Sequence, residues 1–101
     1  MPAAPARLTP EQTAAFLHEA PHWALAREGL AIVRHIVLDD FAQALAAMVR
    51  IGVIAEKADH HPEWFNVYNK LDIWLTTHDA GGLSARDIEL ARAIDAICPP
   101  C

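Results

Sequence analysis

The chain has 101 residues, of which 53% are hydrophobic, and it carries a formal net charge of −5. This length is enough for one core, so residues 1–101 are expected to form a single domain. The negative charge and scattered basic residues argue against direct nucleic-acid binding. The sequence contains no apolar run of membrane length and no signal-peptide-like segment near its start, which predicts a cytoplasmic protein without membrane contact.

The first predicted element is a short helix. Residues 1–7 are rich in proline and alanine and are predicted to form a disordered tail. Thr9 suits the N-cap position, and Gln12 stands three residues after it, as in a capping box. The helix should reach about His18, and this histidine and His22 are expected at the surface.

Two strands are predicted next, over 23–26 and 30–37, with a turn at Glu28-Gly29 between them. The second run is rich in β-branched residues, which favour strands. His35 lies within it and is left out of the candidate site, because a lone histidine in a strand is usually structural or faces solvent.

A long alanine-rich helix is predicted from Phe41 to about Ala58. Asp39 and Asp40 precede it, and acidic residues at that position bond free amides and suit the helix dipole. Apolar residues three and four positions apart predict its buried stripe, which Ile51, Val53 and Ile54 broaden. The members of that stripe are Phe41, Leu45, Met48 and Ala55.

A second hairpin is predicted after this helix. Pro62 disfavours helical geometry at the preceding residue, so the helix ends before it. Strand-forming residues flank Asn69-Lys70, which predicts these two residues as the hairpin loop. With that loop, His61 would face His78. Facing residues in a hairpin have Cβ atoms about 5 Å apart, so this register would bring His60, His61 and His78 into one pocket.

The last predicted element is a helix that follows a loop at 79–83. Ser84 to Asp87 form a capping signature, with Ser84 as N-cap and Asp87 at the third helical position. The buried stripe is predicted at Ile88, Ala91, Ile94 and Cys98. The order of helix, two strands, helix, two strands, helix predicts an α+β fold. In this fold a four-stranded antiparallel sheet has helices packed on one face.

Two cysteines, Cys98 and Cys101, stand near the C-terminal end with two prolines between them. This spacing resembles a redox or zinc half-site. No second ligand pair is present for zinc, and no strand precedes the motif as a thioredoxin-like site requires. We therefore interpret these residues as a frayed chain end with incidental thiols.

Histidines and carboxylates concentrate between Glu56 and Asp79. Imidazole titrates near neutral pH, and imidazoles placed among carboxylates and aromatic rings suit proton transfer to a flat polar ligand. This pattern predicts an acid–base site built on His60, His61 and His78. The carboxylates that would orient these rings are Glu56, Asp59 and Asp79.

Two alternatives remain open from composition alone. The same residues would also occur on a solvated sheet edge without function. A metal site would need three ligands on one centre, and adjacent histidines seldom point the same way.

The run from Glu56 to Lys70 resembles the signature of the pterin-4a-carbinolamine dehydratases, as do residues 75–79 and 82–87. The family pattern is a charged residue, a His-His-Pro triplet, a downstream aromatic residue, a second histidine and a later aspartate. The matching positions are Glu56, His60-His61-Pro62, Tyr68, His78 and Asp87. Weaker similarity runs from residue 8 to residue 97, and the bulky Trp74 departs from the small polar residue expected there.

The resemblance implies an enzyme that removes water from 4a-hydroxytetrahydropterin, made by aromatic amino-acid hydroxylases, and yields quinonoid dihydropterin. It implies no metal or organic cofactor. His60 and His78 would be the acid–base pair, and His61 would bind the substrate. The residues expected to bind substrate or support the site are Glu56, Asp59, Pro62, Trp64, Asp79 and Asp87.

The resemblance also implies partners. A homodimer or homotetramer is expected, formed through sheet edges and helices, and an aromatic amino-acid hydroxylase would belong to the same pathway. A non-catalytic role is the alternative. Some members of the family serve as dimerization cofactors for a homeodomain transcription factor, and others assist the assembly of other enzymes.

Overall fold

Three helices and four strands follow one another in the predicted order, in a computed structural model that describes residues 5–98. The strands form one antiparallel sheet, in which the first strand along the chain pairs with the second, the second with the fourth, and the fourth with the third. Single 3-10 turns span Arg27–Gly29 and His78–Ala80. The elements are α1 (Pro10–Glu19), β1 (Ala24–Ala26), β2 (Ala31–Val37), α2 (Phe41–Ala58), β3 (Glu63–Val67), β4 (Lys70–Leu75) and α3 (Ala85–Ile97). No helix within residues 5–98 is long and apolar enough to cross a membrane.

The core lies on one face of the sheet, because side chains alternate between the two faces of each strand. Ile32 and Ile36 of β2 pair with Leu75 and Leu71 of β4, and all four are buried. Helix side chains complete this core, namely Phe16, Ile51, Ala55, Leu90 and Ile94. The α+β arrangement with helices on one face is therefore confirmed.

The helix starts follow the predicted caps. Thr9 and Gln12 form a capping box at α1, and Asp40 accepts a hydrogen bond from the Gln43 amide at the start of α2. Ser84 caps α3 in a second capping box. Each cap satisfies backbone amides that have no partner inside the helix.

The buried stripe of α2 differs from the prediction. Phe41 and Leu45 are 47% and 48% exposed, and the fully buried residues are Ala44, Ile51 and Ala55. The helix is apolar around most of its circumference, so spacing alone did not select the face that packs on the sheet. The predicted members Met48 and Ala55 do pack against the core.

The register of the β3–β4 hairpin also differs from the prediction. Val67 pairs with Lys70, which makes Tyr68 and Asn69 the turn residues, and Tyr68 takes the positive φ of 51°. The Asn69 side chain donates to the Leu38 carbonyl at 3.0 Å, so it ties the turn to the end of β2. Compared with the predicted register, each β3 residue pairs with a β4 residue that is on the same face but nearer the turn. His61 therefore does not face His78 in the ladder.

A buried cation that the sequence analysis did not predict lies on the helix-covered face. Arg34 of β2 is 2% exposed and pairs with the Asp95 carboxylate of α3. The Trp23 indole donates to the same carboxylate at 2.9 Å. A buried charge needs such a partner, so this pair holds α3 over the centre of the sheet.

Both chain ends carry ordered contacts where the structure describes them. The Leu8 amide donates to the Leu83 carbonyl at 2.8 Å, and Arg7 lies over Gly82. The disordered tail expected over residues 1–7 stays a prediction, and residues 1–4 lie outside the described part. Cys98 is buried against the core rather than frayed, and Cys101 also lies outside the described residues.

Helix α2 ends in a left-handed turn at Asp59, which has φ 51° and ψ 40°. The Asp59 amide bonds the Glu56 carbonyl at 3.2 Å, and the His60 amide reaches back to the Ala55 carbonyl at 3.1 Å. These two bonds form a Schellman motif, in which glycine is the usual left-handed residue. The turn reverses the chain, and His60 becomes buried.

Replacing Asp59 by glycine should therefore stabilise the fold. The left-handed conformation costs an L-residue roughly 1–2 kcal/mol, so we expect Asp59→Gly to raise the free energy of unfolding by about 0.5–1 kcal/mol. Lys57→Gly is the matched control inside α2, and it should lower that free energy by about 1 kcal/mol. Urea unfolding of both variants measures the contrast, and a loss of stability in both would contradict the role given to the turn.

Candidate active site

His60 sits directly after the turn that ends α2 and points into the protein. Its Nε2 lies 2.6 Å from Asp87 Oδ1, in the first turn of α3. The His60 side chain is 10% exposed and the Asp87 side chain is fully buried. The Schellman turn and the start of α3 thus bring two predicted site residues into direct contact.

Asp87 accepts hydrogen bonds from three elements of the fold. Besides His60, the Thr77 hydroxyl donates to Asp87 Oδ2 at 2.7 Å, and the Ser84 amide donates to the same oxygen at 2.9 Å. Burial of a carboxylate is costly unless its oxygens are bonded. These donors satisfy the carboxylate and fix its orientation toward His60.

A chain of hydroxyl groups supports Asp87 from the side opposite His60. Thr77 Oγ1 lies 2.6 Å from Ser84 Oγ. Because the Thr77 hydrogen is used toward Asp87, the Ser84 hydroxyl is the donor in this pair. Ser84 Oγ in turn accepts from the Arg86 amide at 3.2 Å. Bonds arranged in series polarise one another, which strengthens each of them.

The same threonine places His78. The Thr77 amide donates to the Gly82 carbonyl at 2.8 Å, and the Gly82 amide returns to the Thr77 carbonyl at 3.3 Å. His78 follows Thr77 directly and begins the 3-10 turn, with its side chain exposed. His78 is therefore one peptide bond away from a residue that bonds the carboxylate of the His60 pair.

His61 forms a second histidine–carboxylate pair, at the surface. Its Nε2 lies 2.7 Å from Glu56 Oε1, on the last turn of α2. The two side chains are 58% and 80% exposed. Solvent screens such a pair, so it contributes little to stability, and His61 remains accessible to a ligand.

The pairing with Asp87 determines which nitrogen of His60 is free. A carboxylate only accepts hydrogen bonds, so we assign the shared hydrogen to Nε2. Nδ1 has no hydrogen-bond partner within residues 5–98, and no polar atom of a non-exposed side chain there is both buried and unpaired. Nδ1 therefore reaches the surface, and in the neutral ring it carries a lone pair.

His60 lines a small depression of about 90 Å³. Arg86 and Glu89 of α3 contribute to its wall, and sequence reasoning had not assigned either residue to the site. A water molecule takes about 30 Å³, so the depression is too small to enclose a bicyclic ring. A flat ligand would have to lie across its mouth, in the open.

Four other predicted residues play different parts. Asp59 forms the turn described above, and its side chain is exposed, as is that of Asp79. Pro62 is half-buried between His61 and β3. The Trp64 ring lies against α2, with Cη2 3.9 Å from the Cβ position of Gly52. Within the described chain, none of the four has a hydrogen bond or ion pair to His60 or Asp87.

A separate ion pair joins the edge strand β3 to the turn after β1. Arg27 binds both carboxylate oxygens of Glu63, at 2.9 and 3.0 Å, and its guanidinium lies 5.8 Å from the Trp74 ring centroid. The hydrogen bond from Arg27 lowers the pKa of Glu63. The stabilisation that this ion pair gives the fold is therefore fully present above the unfolded pKa of Glu63, about 4.3. It is lost as the pH falls through the lower pKa of the folded state. Both groups are exposed, so the pair is worth less than about 1 kcal/mol.

A larger cavity lies elsewhere. It measures about 550 Å³, lies between α1 and β1, and contains none of the predicted site residues. Its lining is mostly apolar, with Arg7 and Glu28 as its charged members. Within residues 5–98, no three His, Cys, Asp or Glu side chains are grouped so that they could hold a metal ion.

Residues 6–97 match the family model described as pterin 4 alpha carbinolamine dehydratase. A protein of Novosphingobium aromaticivorans that bears this family's name is 57% identical over 91 residues, which cover 90% of this chain and 95% of the relative. One from Rhodopseudomonas palustris is 55% identical over 91 residues, with 90% of each chain covered.

A solved structure matches as well. The crystal structure of a protein from Brucella melitensis, described as a transcriptional coactivator/pterin dehydratase, has a TM-score of 0.88 and 39% sequence identity to this chain. The match covers 92% of this chain and 99% of the other.

The Asp87 network should be needed for stability as well as for His60. In Asp87→Asn an amide replaces one acceptor oxygen and leaves a buried donor without its partner. We expect the free energy of unfolding to fall by about 2–3 kcal/mol. Asp79→Asn makes the same change at an exposed carboxylate and should stay within about 0.5 kcal/mol of the original protein. Denaturant unfolding measures both variants. Similar losses of unfolding free energy in the two would contradict the stabilising role given to the Asp87 network.

Proposed function

We propose, because the chain belongs to the pterin-4a-carbinolamine dehydratase family, that it is a hydro-lyase that converts 4a-hydroxytetrahydropterin to quinonoid dihydropterin and water. The observation that carries the mechanism is the His60–Asp87 pair, with a contact of 2.6 Å inside the family's motif. A buried carboxylate behind an imidazole is suited to proton transfer at neutral pH.

The reaction requires one proton to be donated to the substrate and another to be removed from it. In the carbinolamine a hydroxyl and an N–H stand on neighbouring atoms. An acid protonates the hydroxyl, the C–O bond breaks and water leaves, while a base takes the N–H proton and the C=N bond forms. One proton is donated and one is removed, so two titratable side chains of the protein are sufficient, and the reaction consumes no oxidant.

His60 is proposed as the base. Its Nε2 bonds Asp87, so the Nδ1 lone pair is the one available for the proton, and the residue lines the surface depression. The carboxylate then stabilises the imidazolium that forms and keeps the ring in one tautomer, as in a catalytic triad. His78 is proposed as the acid, because it is exposed and its backbone is anchored through Thr77.

His61 is proposed to hold the pterin ring rather than to transfer protons. It is exposed, and its Nε2 is already engaged by Glu56 at 2.7 Å, which leaves Nδ1 for the ligand. Asp59, Pro62, Trp64 and Asp79 remain proposed supporting residues.

A cytoplasmic location, independence from cofactors and an upstream aromatic amino-acid hydroxylase are parts of the same proposal. The hydroxylase follows from the family's chemistry, since this substrate is the product of hydroxylase turnover.

The purified protein should accelerate loss of the 4a-hydroxypterin absorbance in a stopped-flow assay. The rate should be unchanged by EDTA. His60→Ala and His78→Ala should lower kcat by about 10²–10⁴-fold, because each removes a proton-transfer group. His61→Ala should mainly raise KM, because it removes ground-state contacts.

His35→Ala is the matched control, since His35 also pairs with an aspartate, at 2.6 Å from Asp72, but on the open face of the sheet. It should retain the original kcat and KM. An unmodified protein that gives no acceleration over buffer would refute the dehydratase function.

Assembly into a homo-oligomer is proposed on the outer face of α2. Phe41, Leu45, Val49 and Val53 stand four residues apart and are 47–59% exposed, which makes a continuous apolar stripe on a helix about 27 Å long. A stripe of this kind on a small protein marks an interaction surface. A second copy of the chain is the proposed occupant.

A protein-binding role without catalysis is the second candidate, and the same stripe supports it. The Brucella melitensis neighbour is described as a transcriptional coactivator as well as a dehydratase. A purely binding protein would keep its partner after His60→Ala and His78→Ala substitution, and its unmodified form would show no dehydratase activity.

We expect the protein to sediment as a dimer or tetramer at micromolar concentration, and Val49→Glu to shift it toward the monomer. The introduced charge would have to be buried in the interface, which is costly. Gln43→Glu adds the same charge to an exposed position outside the stripe and should leave the oligomer intact. A monomeric unmodified protein, or equal effects of the two variants, would contradict this interface.

A further inference from the structure

We propose that Thr77 is a positioning residue for the dehydration, and that it acts by fixing the Asp87 carboxylate that holds His60 in its Nε2–H tautomer. This inference rests on the proposed function. Thr77 is 2% exposed, and its hydroxyl donates to Asp87 Oδ2 at 2.7 Å. A side chain this deeply buried cannot contact a substrate, so its influence must pass through Asp87.

The geometry gives each carboxylate oxygen a separate task. Oδ1 faces His60 Nε2, and Oδ2 accepts from the Thr77 hydroxyl and the Ser84 amide. The two donors to Oδ2 fix the rotation of the Asp87 carboxylate about its Cβ–Cγ bond. With that rotation set, Oδ1 points along the His60 N–H bond, and the ring cannot change tautomer without losing the contact.

The carboxylate fixes the direction of the Thr77 hydroxyl. A carboxylate only accepts hydrogen bonds, so the Thr77 hydrogen points to Asp87, and the Ser84 hydroxyl, 2.6 Å from Thr77 Oγ1, is the donor to Thr77. The Arg86 amide completes the series by donating to Ser84 Oγ. A valine at position 77 would keep the volume and β-branching of threonine and remove both bonds.

Thr77 also connects the two proposed proton-transfer residues. Its side chain bonds the carboxylate behind His60, and its backbone precedes His78 and pairs with Gly82. Only the side-chain link is removed in Thr77→Val, because the backbone bonds to Gly82 do not depend on the hydroxyl. The substitution therefore isolates the effect on His60.

The test compares Thr77→Val with two close variants. Thr77→Ser retains the hydroxyl. Thr76→Val removes the neighbouring hydroxyl, which donates to the Leu30 carbonyl at 2.6 Å and does not bond Asp87. We expect kcat to fall about tenfold or more in Thr77→Val, by analogy with other residues that orient a histidine. KM should stay within about twofold, and Thr77→Ser and Thr76→Val should remain close to the original protein.

The second readout does not need activity. Proton and nitrogen NMR of the histidine rings should show a slowly exchanging His60 Nε2–H in the original protein, in Thr77→Ser and in Thr76→Val. In Thr77→Val the His60 Nε2 proton should exchange rapidly with water, and the ring should populate both tautomers. Thr77→Ala also removes the hydroxyl that donates to Asp87 and needs no valine methyl group to fit beside the carboxylate, so it should move both readouts in the same direction if Thr77→Val fails to fold.

Three outcomes would overturn the inference. Thr77→Val could retain both the original kcat and the slow His60 signal. Thr76→Val could cause the same losses as Thr77→Val, which would indicate general destabilisation. Thr77→Ala could leave both readouts unchanged where Thr77→Val does not fold. An unmodified protein that is folded but inactive would instead refute the proposed function, and the NMR comparison would still decide the positioning role.

Discussion

The buried carboxylate of Asp87 is the constraint on which the candidate site depends. A carboxylate removed from water is unfavourable unless donors replace the lost solvent. Here the donors come from the end of α2, from the segment after β4 and from the start of α3. The three segments must therefore meet at one point, and His60 is held there as a consequence. The first turn of α3 serves as both a helix cap and the anchor of the site.

The three site histidines differ in how they are held, and this difference suits different work. His60 is buried and bonded to a buried carboxylate, His61 is paired with an exposed carboxylate, and His78 is exposed on a short anchored turn. A buried pair preserves one ring orientation and one tautomer. An exposed ring can meet a ligand at the cost of little desolvation. The arrangement combines one preorganised group with two accessible ones.

The fold separates this chemistry from the surfaces available for assembly. Helices cover one face of the sheet, and the Arg34–Asp95 pair holds α3 against it. The outer face of α2 stays apolar and uncovered by the rest of the described chain. The site lies at the end of α2, while the stripe runs along its length. A partner on the stripe would therefore contact the helix whose end positions His60 without covering His60 itself.

Local features of this protein were predictable from sequence because they depend on neighbouring residues. The caps at Thr9, Asp40 and Ser84 need only an acceptor side chain and amides within the next few positions. The span of α2 and the place of Asp87 in a capping box followed in the same way. The family motif predicted the contact partners His60 and Asp87 as members of one site, although spacing alone did not show that they touch.

Features that depend on distant residues were decided by the tertiary structure. The buried face of α2 was not predictable, because apolar residues surround the helix and the sheet selects among them. The hairpin register depends on the bond from Asn69 to Leu38, 31 positions away. Arg34 stands in an apolar strand and is acceptable there only because Asp95 and α3 pack over it. The roles of Thr77 and Ser84 also depend on the tertiary structure. The group that a hydroxyl orients can be identified only once the folded chain brings its acceptor within hydrogen-bond distance.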